Sequence, residues 1–278
     1  MDHIPRPQRH PVFMRSTPLV IQTHRGHLRH DFAWVLREAL DFAAWWDPTT
    51  TYGATYGDTW PTQAIPSTEA VIVPVGTLEW VATWTQIRYQ RELSSFLPLT
   101  IPSALRTPTW LGRTLACLDR ETLLREHRAH PVFLKSATRY KGFVDIRIPD
   151  ANLPDDAYWV SDVVTFRAEW RAFVHRNTLV GLQRYAGELE MFPDGSTLHA
   201  MINADAATAP QAYTLDVGIL DAPHAPTVII EVHPFVCCGL YGWDDPLRLI
   251  AMLIDGWRSG LTLAELPDPY LGSHFHDP

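Results

Sequence analysis

From Pro131 onward the chain breaks into seven short segments dense in β-branched and aromatic residues: PVFLKSA (131–137), GFVDIRI (142–148), WVSDVVTF (159–166), EWRAFVH (169–175), TLVGLQRYA (178–186), YTLDVGIL (213–220) and TVIIEVH (227–233). Runs of this length and texture, divided by turn residues, read as strands, and so many in succession commit the second half of the chain to sheets. Helical periodicity returns at residues 246–257, where Leu247, Ile250, Leu253 and Ile254 share one face.

The first part has a different texture. PLVIQT (18–23) reads as a strand, and residues 31–46 as a helix capped by Asp31, with Phe32, Val35, Leu36, Leu40 and Phe42 near one stripe. Residues 47–67 show no period and read as loop. A strand at 70–75 (AVIVPV), a helix from Thr77 toward Ser94, a proline-bearing connector at 97–109 and a short charged helix at 121–127 follow. This predicts a smaller α/β domain over residues 1–125, a strand-rich domain over 126–265 and an irregular tail over 266–278.

Composition narrows the class of function. A net charge of −8 argues against nucleic acid as a partner, because binding a polyanion needs a basic face. No apolar run approaches bilayer length, and the start, MDHIPRPQRHPVF, lacks a signal-peptide core, so the expectation is a cytoplasmic protein with no membrane partner. Cys117 and the adjacent Cys237 and Cys238 form no disulfide framework and are expected to be reduced thiols. The dense tryptophans before residue 126, Trp34, Trp45, Trp46, Trp60, Trp80, Trp84 and Trp110, fit either core packing or an aromatic wall for a peptide.

The chemistry concentrates in the strands. If YTLDVGIL and TVIIEVH form a symmetric hairpin, Leu220 faces Thr227 and Asp216 lies opposite Glu231. His233, two residues on, shares that face. Facing carboxylates repel unless neutralised, and a divalent cation does this: Mg2+, with Mn2+ as the other oxygen-seeking choice. Two solvent-facing acids are the alternative. In EWRAFVHRNTLVGLQRYA, a turn at Arg176 and Asn177 gives facing pairs that put Glu169, Arg171 and Arg184 on one side. Two guanidiniums and one carboxylate suit the phosphates and ribose of a nucleotide, although a surface ion pair with a solvated Arg171 uses the same residues. The only two lysines, Lys135 and Lys141, flank a short polar loop and are placed to hold phosphates, unless chance put them there. The GxxxxGK[ST] and GxGxxG patterns are absent, so a P-loop or Rossmann site is disfavoured.

Taken together, FLKS, SDVVTF, EWRAFV with LQRY, YTLDVG and IIEVHP, in that order over roughly residues 125–250, resemble the ATP-grasp superfamily. Within it they resemble the clade named for two arginines and a lysine, which is related to the cell-division-cycle family of translation-factor assembly proteins. The resemblance implies an α+β ATP-grasp fold, with antiparallel and mixed sheets sandwiching the nucleotide. It implies that Lys135 contacts ATP near the adenine and first phosphates, that the backbone around Val163 and Val164 bonds adenine, and that Arg171 and Arg184 are the paired arginines. It implies an ATP-dependent carboxylate–amine ligase working through an acyl phosphate, on an amino acid, peptide or protein acceptor. The alternative is an ATP-binding assembly factor or protein clamp without turnover. His233 departs from the pattern, which ends Glu-x-Asn in this clade.

Overall fold

In a computed structural model, described over residues 19–28, 30–46, 54–58, 72–90, 92–93, 101–127, 129–139, 142–236 and 238–265, β1 (Leu19–His24) takes the apolar run that starts the chain's first sheet. Its register is parallel to β3 (Ala54–Gly57) and β4 (Val73–Val75), while β2 (His27–Leu28) folds back on its end. β3 falls inside the stretch expected to be loop: its side chains are largely exposed, so it carries no burial pattern, and it is a strand because β1 offers it a free edge. Helix α1 (Asp31–Trp46) packs on the chain's last helix and buries Phe32, Ala33, Leu36, Ala39 and Ala43 in a core shared with this sheet. Asp31 is therefore the first helical residue and not the residue before it; the Phe32 amide donates to His30 Nδ1 at 3.3 Å. Phe42, expected on the inner stripe, is exposed beside Trp45 and Trp46.

Helix α2 (Leu78–Tyr89) starts at the Thr77 cap, whose hydroxyl accepts from Trp80 N at 3.4 Å. It stops at Gln90, which turns left-handed and returns its amide to Gln86 O, so the helix is shorter than the run toward Ser94. A single helical turn at Ser103–Leu105 and α3 (Pro108–Leu111) occupy the connector.

Two antiparallel sheets follow. In the smaller, β5 (Leu115–Asp119), β8 (Ala157–Ser161), β6 (Val132–Ser136) and β7 (Val144–Arg147) lie side by side in that order, with α4 (Arg120–Glu126) following β5 in sequence. β5 precedes residue 126 yet pairs along its length with β8, so this sheet draws on both sides of that position. In the larger, the order is β10 (Thr178–Gly187), β9 (Phe166–His175), β11 (Ala212–Leu220) and β12 (Thr227–Pro234). One face of it packs Trp170, Ala172, Val174, Leu215 and Val217 against Leu198, Met201 and Ile202 of α5 (Gly195–Asp205). On the other face, Phe173 and Phe235 join α6 (Pro246–Glu265) and α1 in one core. Among the described residues no helix is long and apolar enough to cross a membrane.

The hairpin between β9 and β10 turns at Arg176 and Asn177, both with positive φ (50° and 57°), as a two-residue connection requires. Gly181, just past the first irregularity of β10, is the one residue small enough there: an added Cβ would lie 2.4 Å from the Trp243 indole nitrogen. That indole stacks on Phe173 with centroids 4.5 Å apart.

Candidate functional site

Pairing across β9, β11 and β12 sets Arg171, Asp216 and Glu231 in a row, because Asp216 is the register partner of both neighbours. Arg171 Nε donates to Asp216 Oδ1 at 2.8 Å and Nη2 to Oδ2 at 2.7 Å; Nη1 donates to Gly239 O at 2.9 Å. The guanidinium also stacks over Tyr241, 5.0 Å from its centroid. Glu231 is held from two sides: Lys135 Nζ reaches Oε2 at 2.5 Å and His233 Nε2 reaches Oε1 at 2.6 Å. Asp216, Glu231 and His233 each offer a ligand atom, and these atoms all lie within 4.8 Å of one another.

The two carboxylates differ electrically. Burial raises the Asp216 carboxyl above its ordinary value, with the Arg171 bonds pulling the other way. Burial also acts to raise Glu231, but His233 and Lys135 outweigh it and hold that carboxyl far below the usual range. Burial opposes charge on Arg171, yet its two bonds to Asp216 win and raise it.

Lys135, Arg171, Glu231 and His233 of this cluster line a cleft of about 260 Å3 between the two antiparallel sheets, with Asp216 buried behind them. The small sheet contributes Leu115, Phe133, Lys135, Val144, Trp159 and Ser161 to its walls. Arg139, from the loop after β6, also lines it. One cleft thus combines fixed charge with aromatic and aliphatic surface, and Lys135 is the register partner of both Val144 and Trp159.

Residues 110–248, half of the chain's 278, match the ATP-grasp domain of the clade named for two arginines and a lysine, in the second of that clade's families. The chain belongs to the ATP-grasp family. No curated protein matches it. Among solved structures it is similar to the RimK domain protein ATP-grasp of Sphaerobacter thermophilus, at 16% identity and a TM-score of 0.52 over 87% of this chain and 98% of that one. It is similar to the ATP-grasp ligase PsnB complexed with a phosphomimetic variant of minimal precursor, Mg and ADP, at 11% identity and 0.53 over 88% and 99%. It is also similar to the macrocyclase MdnC bound with precursor peptide MdnA, from Microcystis aeruginosa, at 11% identity and 0.50 over 86% and 99%. At these identities the likeness is one of fold.

The ATP-grasp fold brings some expected residues together and separates others. Lys135, Arg171, Asp216, Glu231 and His233 meet. Arg184 does not join them: a bulge at Val180 moves the β9–β10 register by one, so Arg184 pairs with Trp170, which packs toward α5 on the opposite face. Its Nη1 donates to Gly187 O at 2.6 Å. The same shift separates Arg184 from Glu169, which pairs with Ala186 and hydrogen-bonds Tyr185. Val163 and Val164, expected inside a strand at 159–166, lie in the segment joining β8, which ends at Ser161, to β9. Lys141 and Cys237 lie outside the described residues. Cys117 is a free thiol, and Cys238 lines the cleft beside Gly239.

Sequence reasoning missed two contributors. Tyr185, the extra residue of the second β10 irregularity, stacks on Tyr241 with centroids 5.0 Å apart; burial and then the Asp216 and Glu169 charges push its hydroxyl above its usual range. Arg113 pins the bulge in β12: Nη1 donates to Ile229 O at 2.7 Å and Nη2 to Ile230 O at 3.2 Å. Ile230 is the residue left without a register partner where the pairing changes between Asp216–Glu231 and Val217–Ile229. Arg113 therefore satisfies carbonyls at the bulge that sets Asp216 against Glu231. A lone arginine after a glycine carries no sequence signal for this.

The donor set fits a divalent cation. Ligands 2.0–2.1 Å from an octahedral ion lie roughly 3.0 Å apart when adjacent and about 4.2 Å when opposed, and the three donor atoms, all within 4.8 Å of one another, reach such a shell with small side-chain movements. Each carboxylate oxygen already accepts one hydrogen bond and retains a lone pair.

Proposed function

We propose that the protein is an ATP-dependent carboxylate–amine ligase that works through an acyl phosphate on an amino acid, peptide or protein acceptor. One observation carries this reading: Lys135, Arg171, Glu231 and His233 line the same cleft as Phe133, Val144 and Trp159. That combination suits a molecule that carries both an aromatic heterocycle and phosphates. The solved relatives lend support, since PsnB is complexed with Mg and ADP and MdnC is bound with a precursor peptide.

In this scheme a substrate carboxylate oxygen attacks the γ-phosphorus of ATP and ADP leaves. The acceptor amine then attacks the acyl carbon, loses a proton and expels phosphate. Asp216, Glu231 and His233 would hold the divalent cation, which neutralises charge on the β- and γ-phosphates. Lys135 supplies a compact positive charge beside the phosphates, and Arg171 holds Asp216 in place while presenting its remaining edge to the cleft. Val163 and Val164 offer backbone groups for adenine, and Glu169 accepts from ribose. Arg184, on the other face, takes no part.

The test is incubation with ATP, Mg2+ and a mixture of amino acids and peptides, with ADP and phosphate measured. Release that depends on an added amine supports the ligase. Tight ATP binding without release points to the assembly-factor or clamp reading, and no ATP binding sinks both.

A further inference from the structure

The cluster differs from an ordinary magnesium site in charge and in donor type. Its two carboxylates are already balanced within the protein, Asp216 by Arg171 and Glu231 by Lys135, so the net charge near the cation position is close to zero. A hard ion such as Mg2+ is held mainly by negative charge on oxygen and gains little from such a site. Its third donor is an imidazole nitrogen, which suits d-block ions and does little for Mg2+. A second observation points the same way. Thr214 pairs with His233 across β11 and β12, is fully buried, and its hydroxyl has no hydrogen-bond partner among the described residues. Directly paired residues share a face of the sheet, so Thr214 and His233 belong to the same face. His233 Nε2 bonds Glu231 Oε1, so ligation through Nε2 exchanges that bond for the cation, leaves the ring proton on Nδ1 and needs an acceptor for it.

Resting on the metal-nucleotide reading above, we infer that the site takes a d-block divalent cation, of the Mn2+ and Co2+ class, in preference to Mg2+, with His233 Nε2 as a direct ligand and Thr214 orienting the ring. Lys135 and the cation compete for Glu231, so loading the site moves the lysine off Oε2 and frees it for phosphate.

The experiment uses Mn2+ alone on the nucleotide-free protein. Loss of the free-ion electron paramagnetic resonance signal gives the affinity, Mg2+ competition gives the selectivity, and pulsed resonance reads nitrogen coupling to the bound ion. Mn2+ should bind about tenfold more tightly than Mg2+. The nitrogen coupling should change pattern when histidine is supplied as the 15N form, which tests the ligand with no substitution. In His233→Asn the coupling should vanish and the Mn2+ preference collapse, with circular dichroism reporting that the variant is folded. Bound Mn2+ without nitrogen coupling, or an unchanged Mn2+ to Mg2+ ratio in His233→Asn, overturns the inference. A fluorescent ATP analogue titrated with Mg2+ keeps the two readings apart. Nucleotide binding without nitrogen coupling leaves the ligase standing and sinks the metal preference; nitrogen coupling without nucleotide binding does the reverse.

Discussion

The larger antiparallel sheet is covered on both faces, by α5 on one side and by α6 and α1 on the other, and its central strands β9 and β11 are buried along most of their length. Among the described residues the smaller sheet is covered on one face only, where Leu134, Tyr158 and Val160 pack with Leu123, Val132 and Leu153. Its other face turns Phe133, Lys135, Val144 and Trp159 to the cleft, and at its edge Val144 and Ile146 are each 55% exposed. Four of the five polar side chains that meet, Arg171, Asp216, Glu231 and His233, come from the larger sheet; Lys135 alone comes from the smaller. One sheet fixes charges in place, and the other brings a single cation and an open apolar face that a ligand can bury.

The sharpest way to break that contrast is to compare the two carboxylates. Asp216→Ala leaves Arg171 buried without its partner, and a stranded buried charge costs about 3–5 kcal/mol. Glu231 is part-exposed and bonded to Lys135 and His233, so Glu231→Gln should cost about 1 kcal/mol or less and leave the fold intact while abolishing Mg-ATP binding. Urea unfolding measures both. Equal costs would mean that the edge of the larger sheet is as structural as its centre.

The two cores supply the next comparison. Leu215→Ala, in the doubly covered sheet, should lower global stability by about 3–4 kcal/mol, whereas Leu134→Ala should cost about 2 kcal/mol, because a small core can collapse around the gap. Hydrogen exchange sharpens this: in Leu134→Ala the β6 and β8 amides should exchange faster while those of β11 stay protected. Loss of β11 protection in the same variant would show that the sheets unfold as one unit.

Alternation and turn residues made β9 to β12 legible, since buried strands repeat every second residue and the Arg176–Asn177 turn permits one tight connection. The ATP-grasp pattern came from the order of these strands. Asp216 does face Glu231, but through two departures that cancel. The hairpin begins one residue away from the symmetric pairing, with Thr227 against Ile219, and the bulge at Ile230 moves it back. In β10 a single bulge at Val180 had nothing to cancel it, and Arg184 went to the wrong face. Bulges are decided by contacts far away in sequence, here Trp243 against Gly181 and Arg113 on the Ile230 carbonyl, and local pattern does not record them. β5 was missed because its partly exposed residues show no alternation, and α5 because its start is signalled by the Asp194 cap alone.

A smaller effect tests how α6 is fixed to the larger sheet. Asp255 accepts from His175 and Arg176 at 2.7–2.9 Å, at the tip of the β9–β10 hairpin. Burial acts to raise its carboxyl, but those bonds win and lower it. A depressed folded value means stability that is complete above the unfolded value near 3.9 and is lost as pH falls through the folded one. Asp255→Asn should therefore cost about 1–2 kcal/mol at neutral pH and flatten the acid limb of the stability curve below roughly pH 4. An unchanged acid limb would remove Asp255 as the tie.

The smallest change in stability should come from the open face. Ile146 pairs with Phe133 across β7 and β6, so it shares the face that lines the cleft, but solvent already reaches it. Ile146→Thr keeps β-branching and strand preference and removes only apolar area, so folding stability should move by less than about 0.5 kcal/mol. If the smaller sheet closes over a nucleotide, the same residue loses its exposure in the complex, and burying part of an isoleucine contributes about 1 kcal/mol. The nucleotide dissociation constant should then rise about fivefold while the unfolding midpoint stays put. A variant with wild-type affinity would mean that the exposed edge remains outside the bound state and that closure, if it occurs, stops at Phe133 and Val144.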